Sequence, residues 1–179
     1  HNPEFVDDAI DTIANSVARM RRLMAQLSSA REQTERRAVD LRSVIEKASE
    51  RCKPRLPIPK LSYNGEVHSI NADPERLTTV FEHLIRNAQD ATDDNGTIAV
   101  KVLASGSVVT ASIEDDGCGM SPEFIRERLF RPFDSTKGSQ SMGIGAYQAR
   151  EYVRQLGGQL DVASTPGEGT RFDVRLPVN

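Results

Sequence analysis

Residues 97–115 read TIAVKVLASGSVVTASIED, two stretches of alternating character joined at Ser105-Gly106-Ser107. A period of two sorts side chains onto opposite faces of a strand, so the pair predicts a β-hairpin with one buried face. A half-buried hairpin has to be covered, and the chain carries its own cover. Leu41, Val44, Ile45, Ala48 and Cys52 fall at i, i+3, i+4, i+7 and i+11, one stripe of a helix. Asp73-Pro74-Glu75 is a cap-and-proline start, followed by Leu77, Val80, Phe81, Leu84, Ile85 and Ala88 at helical spacing. A third helix is predicted over MGIGAYQAREYVRQLG, closed by Gly157-Gly158. QLDVAST, the turn PGEG and TRFDVRLP predict a last hairpin. Together these elements predict an α+β sandwich: a mixed sheet backed by about three helices on one face.

The remaining stretches are less regular. KPRLPIP ends the first of these helices, because proline cannot continue one. KLSY and HSIN read as short strands around the turn Asn64-Gly65. Ser121-Pro122 predicts a short helix. Asn2-Pro3-Glu4 is a helix start, and Ile10, Ile13, Val17, Met20, Met24 and Leu27 follow as a heptad seam. So narrow a seam predicts a bundle or dimer helix. Residues 28–38, SSAREQTERRA, lose the pattern and read as a helical extension or linker. The expected organisation is a partial helical bundle with linker over residues 1–37 and a globular domain over 38–179.

Charge and cysteine content exclude some classes. A net charge of −3 argues against a nucleic-acid binder, whose phosphate contacts need a basic face. Cys52 and Cys118 stand apart from any Cys/His cluster, which argues against structural zinc and for a reducing compartment. No apolar run is long enough to span a bilayer and no signal peptide opens the chain. With His1 in place of an initiator Met, the chain is expected to be a fragment, with any membrane anchor in the missing part.

Three motifs can carry chemistry. His83, Asn87 and Asp90 share one margin of the second helix's apolar face. An asparagine there offers a neutral oxygen to a hard cation such as Mg²⁺, although a solvated polar edge has the same pattern. Asp115-x-Gly117-x-Gly119 places a carboxylate at a strand end before two flexible residues, a turn that can also wrap a flat ligand. Gly143-x-Gly145 opens a helix, where exposed backbone N–H groups suit phosphate. That pair is neither a dinucleotide fingerprint, since Gln148 stands at the third glycine position, nor a P-loop, since Lys137 precedes it. The protein-kinase H-R-D and D-F-G sets are absent.

Each signal alone is modest, but their order is informative. HLIRNAQDA, DDGCGM, LFRPF, MGIGAYQA and GEGTRF follow one another over roughly residues 41–177. In that order they resemble the N, G1, F and G2 boxes and the last nucleotide-binding turn of the ATP-binding domain of sensor histidine kinases. That domain belongs to the wider Bergerat group with Hsp90, DNA gyrase B and MutL. The heptad helix resembles the second helix of the dimerisation and phosphoacceptor domain. Residues 1–27 look most like kinases associated with exosortase (PEP-CTERM) and extracellular polysaccharide systems.

The resemblance implies a two-component phosphorelay enzyme that moves the ATP γ-phosphoryl group to a histidine and then to a response-regulator aspartate. It implies ATP and Mg²⁺, a homodimer formed through the helical bundle, and a cytoplasmic domain of a membrane-anchored bacterial protein. Asn87 would ligate Mg²⁺. Asp115 would receive the adenine amino group, with Gly117 and Gly119 shaping the pocket and Thr170 supporting Asp115 through water. Lys137, in a short lid, would touch the outer phosphates, and Gly143 and Gly145 would give them N–H groups. Met120 and Ile144 would wall the base, and Phe130 and Phe133 would anchor the lid hinge.

Two positions depart from the family pattern. His83 stands where many histidine kinases have a further Asn and the gyrase branch has a Glu base. Asp90 stands where many kinases have a phosphate-facing Lys. The phosphoacceptor helix is missing, and His1 and His68 are poorly placed, so the fragment is expected to bind ATP without autophosphorylating. An ATP-gated clamp of the gyrase type, with His83 or Glu82 as base, is the alternative reading.

Overall fold

The computed structural model describes residues 35–65, 69–132 and 143–178. Its elements run β1 (Arg37–Asp40), α1 (Leu41–Cys52), β2 (Lys60–Asn64), β3 (Ser69–Ala72), α2 (Pro74–Ala91), β4 (Ile98–Ser105), β5 (Val108–Asp115), α3 (Pro122–Glu127), α4 (Gly145–Gln155), β6 (Gln159–Thr165) and β7 (Gly169–Pro177). A five-stranded sheet has the order β2-β4-β5-β7-β6, and β1 and β3 form a separate two-stranded sheet. β2 lies parallel to β4, while the other neighbours in the large sheet are antiparallel. The result is the expected α+β sandwich of Bergerat type.

Alternation decides which face is buried. Val109, Ala111 and Ile113 of β5 and Phe172, Val174 and Leu176 of β7 are buried beneath the helices. Leu84, Ile85 and Phe81 of α2 are fully buried against them. The other face of the sheet carries Glu114, which pairs with Lys101 and with Arg171 at 3.7 Å, and Arg175, which pairs with Asp161 at 2.6 Å. Half-exposed pairs of this kind add little stability and keep that face wet.

Helix starts behave as their caps predict. Asp73 Oδ1 accepts from the backbone N–H groups of Glu75 at 2.8 Å and Arg76 at 3.2 Å. The Asp73 N–H donates to the Tyr152 hydroxyl at 2.9 Å in a buried bond, and the Arg76 guanidinium lies over the Tyr152 ring at 4.2 Å. The start of α2 is thus tied to α4. These two helices carry two of the three motifs.

Strands form on both sides of Asn64-Gly65 as read, but they do not pair with each other: β2 joins β4 and β3 joins β1. Ile70 of β3 is buried opposite Val39 of β1, so each strand pairs where its apolar side chains find cover. Tertiary partners override the local turn signal. Arg37 and Ala38, read as linker, belong to β1, whose single buried residue offers no period to detect. The heptad seam, His1 and His68 lie outside the described residues. No helix among the described residues is long and apolar enough to cross a membrane.

Candidate functional site

The loop after β5 is built onto the end of α2. The Cys118 N–H donates to the Ala91 carbonyl at 2.9 Å, capping an otherwise unpaired carbonyl of the last helical turn. Gly117 permits this seat, because a Cβ there would lie 2.2 Å from the same Ala91 oxygen. Asp115 Oδ1 turns back to accept from the Gly117 N–H at 3.0 Å. The carboxylate is therefore fixed at the strand end by its own loop.

The same loop is tied to the β6–β7 turn. The Gly167 N–H donates to the Cys118 carbonyl at 2.8 Å, and the Met120 N–H donates to Ser164 Oγ at 2.8 Å. Asp115 and Thr170 stand directly opposite each other across β5 and β7. Directly opposed residues project to the same side of a sheet. Alternation with buried Ile113 and Phe172 places both on the helix-covered side. Thr170 is itself buried.

The third motif meets the first. Gly145 begins α4, and its N-cap, Ile144, makes no side-chain capping bond. The N–H groups of a first helical turn have no intrahelical acceptor and suit an anion. A Cβ at Gly145 would lie 3.3 Å from His83 Cγ, so the His83 ring packs against the start of α4. Asn87, one turn along from His83, is half-buried on the same margin of α2. Gly143 has a φ of 62° and Ile144 is buried. Thus the His83 turn of α2 packs on the start of α4, Asn87 follows one turn along the same margin, and the Asp115 loop rests on the C-terminal turn of that helix.

Other assigned residues are placed as follows. Asp90 accepts from the Arg55 guanidinium at 2.5 Å, a cation from the turn after α1. Met120 and Phe130 are partly buried against the core, and the Arg150 guanidinium of α4 stacks over the Phe130 ring at 4.3 Å. Lys137 and Phe133 lie outside the described residues. Among the described residues no group of His, Cys, Asp and Glu could hold a metal ion unaided. The donor set fits a cation carried largely by phosphates and water with one neutral protein oxygen from Asn87.

Sequence reasoning passed over Ser164, whose hydroxyl joins the Met120 N–H, the Gly169 carbonyl and the Thr170 hydroxyl. A lone serine in an alternating strand gives no signal of this. It also passed over Arg150 and Tyr152, which the helical period treats as ordinary surface and core positions.

Burial lowers the proton affinity of His83 below the ordinary value of 6.5; nearby Arg86 acts in the same direction and Glu82 opposes it. The folded state holds a neutral imidazole that the unfolded chain protonates more readily. Stability conferred by His83 is therefore complete above pH 6.5 and falls as pH drops from there toward the folded-state value. Urea unfolding at pH 7.5 and 5.5 is expected to show a steeper loss for wild type than for His83→Asn, with a difference in slope of at most about 1.4 kcal/mol per pH unit. Equal slopes would mean that His83 is not shielded from water.

Comparison with known proteins gives a consistent answer. The family model for histidine kinase-, DNA gyrase B-, and HSP90-like ATPases matches residues 72–179. The sensor histidine kinase ZraS of Escherichia coli strain K12 is 32% identical over 173 residues, which cover 93% of this chain and 37% of that protein. The signal transduction histidine-protein kinase AtoS of the same strain is 35% identical over 117 residues, 65% of this chain and 19% of that protein. The chain thus spans well under half the length of these curated relatives. Among solved structures, the mycobacterial sensor histidine kinase MprB superposes with a TM-score of 0.69 at 23% identity, covering 79% of this chain and 97% of that one. Full-length ShkA in complex with AMPPNP superposes with a TM-score of 0.68 at 24% identity, covering 81% of this chain and 31% of that one.

Proposed function

The chain belongs to the family of histidine kinase-, DNA gyrase B-, and HSP90-like ATPases, and we propose that it is the ATP-binding catalytic portion of a two-component sensor histidine kinase. The observation that carries the proposal is the seat of the Asp115 loop on the final turn of α2, while the opening of α4 packs on the same helix at His83. In this reading the three elements together would offer a carboxylate for an exocyclic amine, helix N-terminal N–H groups for phosphate and an amide oxygen for a metal.

In this reading Asp115 takes the adenine amino group, and Gly117, Gly119, Met120, Ile144 and Thr170 shape the base pocket. The first turn of α4, with Gly143 and Gly145, receives the phosphates. Asn87 contributes its side-chain oxygen to Mg²⁺. When bound, that ion supplies charge neutralisation to the phosphates. Lys137 and Asp90 are assigned to the phosphate end on resemblance alone. The transfer itself needs little covalent work from the protein, because a positioned nucleophile and neutralised charge suffice.

The proposal extends to a homodimer formed through the residues 1–37 bundle, to a response-regulator partner and to a membrane anchor in the parent protein. It also extends to the exosortase-associated branch, on the resemblance of residues 1–27. The acceptor histidine would lie on a helix supplied from outside this chain, so the chain alone would bind ATP without labelling itself. The curated relatives described above are sensor kinases, which favours this reading over a clamp ATPase. Glu82, a base the clamp would use, is already held by Arg51 at 3.4 Å and Arg86 at 2.9 Å.

Calorimetric titration with a non-hydrolysable ATP analogue, with and without Mg²⁺, tests the assignment. Wild type is expected to bind, and Asn87→Ala is expected to lose the metal-dependent gain while keeping the metal-free affinity. Labelled ATP with a supplied phosphoacceptor helix is expected to yield acid-labile label on that helix and none on His1. Absence of nucleotide binding by wild type would end the proposal.

A further inference from the structure

The hydroxyl of Ser164 sits in a contact set that one proton arrangement satisfies in full. Ser164 Oγ lies 2.8 Å from the Met120 nitrogen, 2.8 Å from the Gly169 carbonyl oxygen and 3.0 Å from Thr170 Oγ1. A backbone N–H can only donate and a carbonyl can only accept, so Met120 donates to Ser164 and Ser164 donates to Gly169. A hydroxyl has one proton and two lone pairs. Its proton is spent on Gly169, so the remaining contact is satisfied only if Thr170 donates to Ser164. The Thr170 proton is then turned away from Asp115, its direct neighbour across β5 and β7. What Thr170 can offer on the Asp115 side is lone pairs.

We propose that Ser164 is a specificity-determining positioning residue that acts through Thr170. By taking the Thr170 proton, it leaves Thr170 presenting lone pairs on its Asp115 side. This inference rests on the nucleotide reading of the site. A hydroxyl that presents lone pairs beside Asp115 suits a purine edge that presents an amino donor, directly or through water. It opposes a purine that presents a carbonyl oxygen at the same place, because two acceptors face each other without a proton between them. Asp115 supplies the first acceptor, and Ser164 ensures that Thr170 does not contradict it. With Ser164 removed, Thr170 can rotate and donate toward the pocket, and a carbonyl-bearing base becomes tolerable.

The test is the ratio of ATP to GTP affinity, measured by calorimetry for wild type, Ser164→Ala, Thr170→Val and the double variant. Wild type is expected to prefer ATP, and Ser164→Ala to lower that preference about tenfold, the size of one misoriented hydrogen bond. In the Thr170→Val background, Ser164→Ala is expected to leave the ratio unchanged, because the hydroxyl through which it acts is gone. Ser164→Cys fills similar space with a poor donor and carries the test if the alanine variant does not fold. A uniform loss of affinity for both nucleotides, with the ratio intact, would show that Ser164 only braces the Met120 loop and would overturn the inference while leaving the nucleotide reading in place. Failure of wild type to bind either nucleotide would overturn that reading, and the inference with it.

Discussion

Gly119→Ala is expected to abolish ATP binding and to lower folding stability by about 2–5 kcal/mol. Gly119 has a φ of 64°, and a Cβ there would lie 2.0 Å from the Thr165 carbonyl oxygen. The left-handed backbone costs an alanine about 1–2 kcal/mol on its own. The clash adds more, since a backbone carbonyl cannot rotate aside as a long side chain can. Relief requires the loop to move off the β6–β7 turn, which breaks the Gly167-to-Cys118 and Met120-to-Ser164 bonds that hold it there. Asp115 then loses the framework that aims it. Gly106→Ala is the control. Gly106 also has a positive φ, 58°, but nothing lies within 4 Å of its Cβ position. That variant is expected to lose about 1–2 kcal/mol and keep full affinity. Chemical denaturation paired with calorimetry separates the two, and undiminished affinity in Gly119→Ala would remove the loop from the site.

Periodicity made the helices and the central hairpin legible. Leu41 to Cys52 and Leu77 to Ala88 each repeat at helical spacing, and the structure buries those stripes. β1 was invisible because a four-residue strand with only Val39 buried has no period. The partners of β2 and β3 were equally hidden, since the turn signal at Asn64-Gly65 is local while pairing depends on which buried face lies nearby. At the site, the margin shared by His83 and Asn87 followed from helical angle. The approach of Gly145 to His83 did not, because angle names a face and not its neighbour. Asp90 shows the same limit. It shares that margin, yet its carboxylate holds Arg55 from the turn after α1, a reach set by a long side chain. Ser164 is the extreme case, since its role comes from three contacts spread over two strands and a loop.

Asp115→Asn is expected to weaken ATP binding by about 10–150-fold, a loss of about 1.5–3 kcal/mol, while changing stability by less than about 1 kcal/mol. The replacement is nearly isosteric, so the loop on Ala91 keeps its seat. The difference lies in acceptor count. A carboxylate has two accepting oxygens, whereas an amide has one accepting oxygen and a donating nitrogen. One Asp115 oxygen already accepts from the Gly117 N–H at 3.0 Å. Under the proposed function the other takes the base amino group. An asparagine can serve either partner but not both. If its oxygen stays on Gly117, its NH₂ meets the incoming amine donor to donor. If it flips to serve the base, its NH₂ meets the Gly117 N–H instead. Either orientation leaves an unpaired donor in the pocket, so the cost appears in binding. Because Gly119→Ala removes affinity through the scaffold, loss of affinity in both variants with loss of stability in Gly119→Ala alone separates recognition from support. An Asp115→Asn affinity within about threefold of wild type, smaller than one hydrogen bond to a charged acceptor provides, would place the base elsewhere.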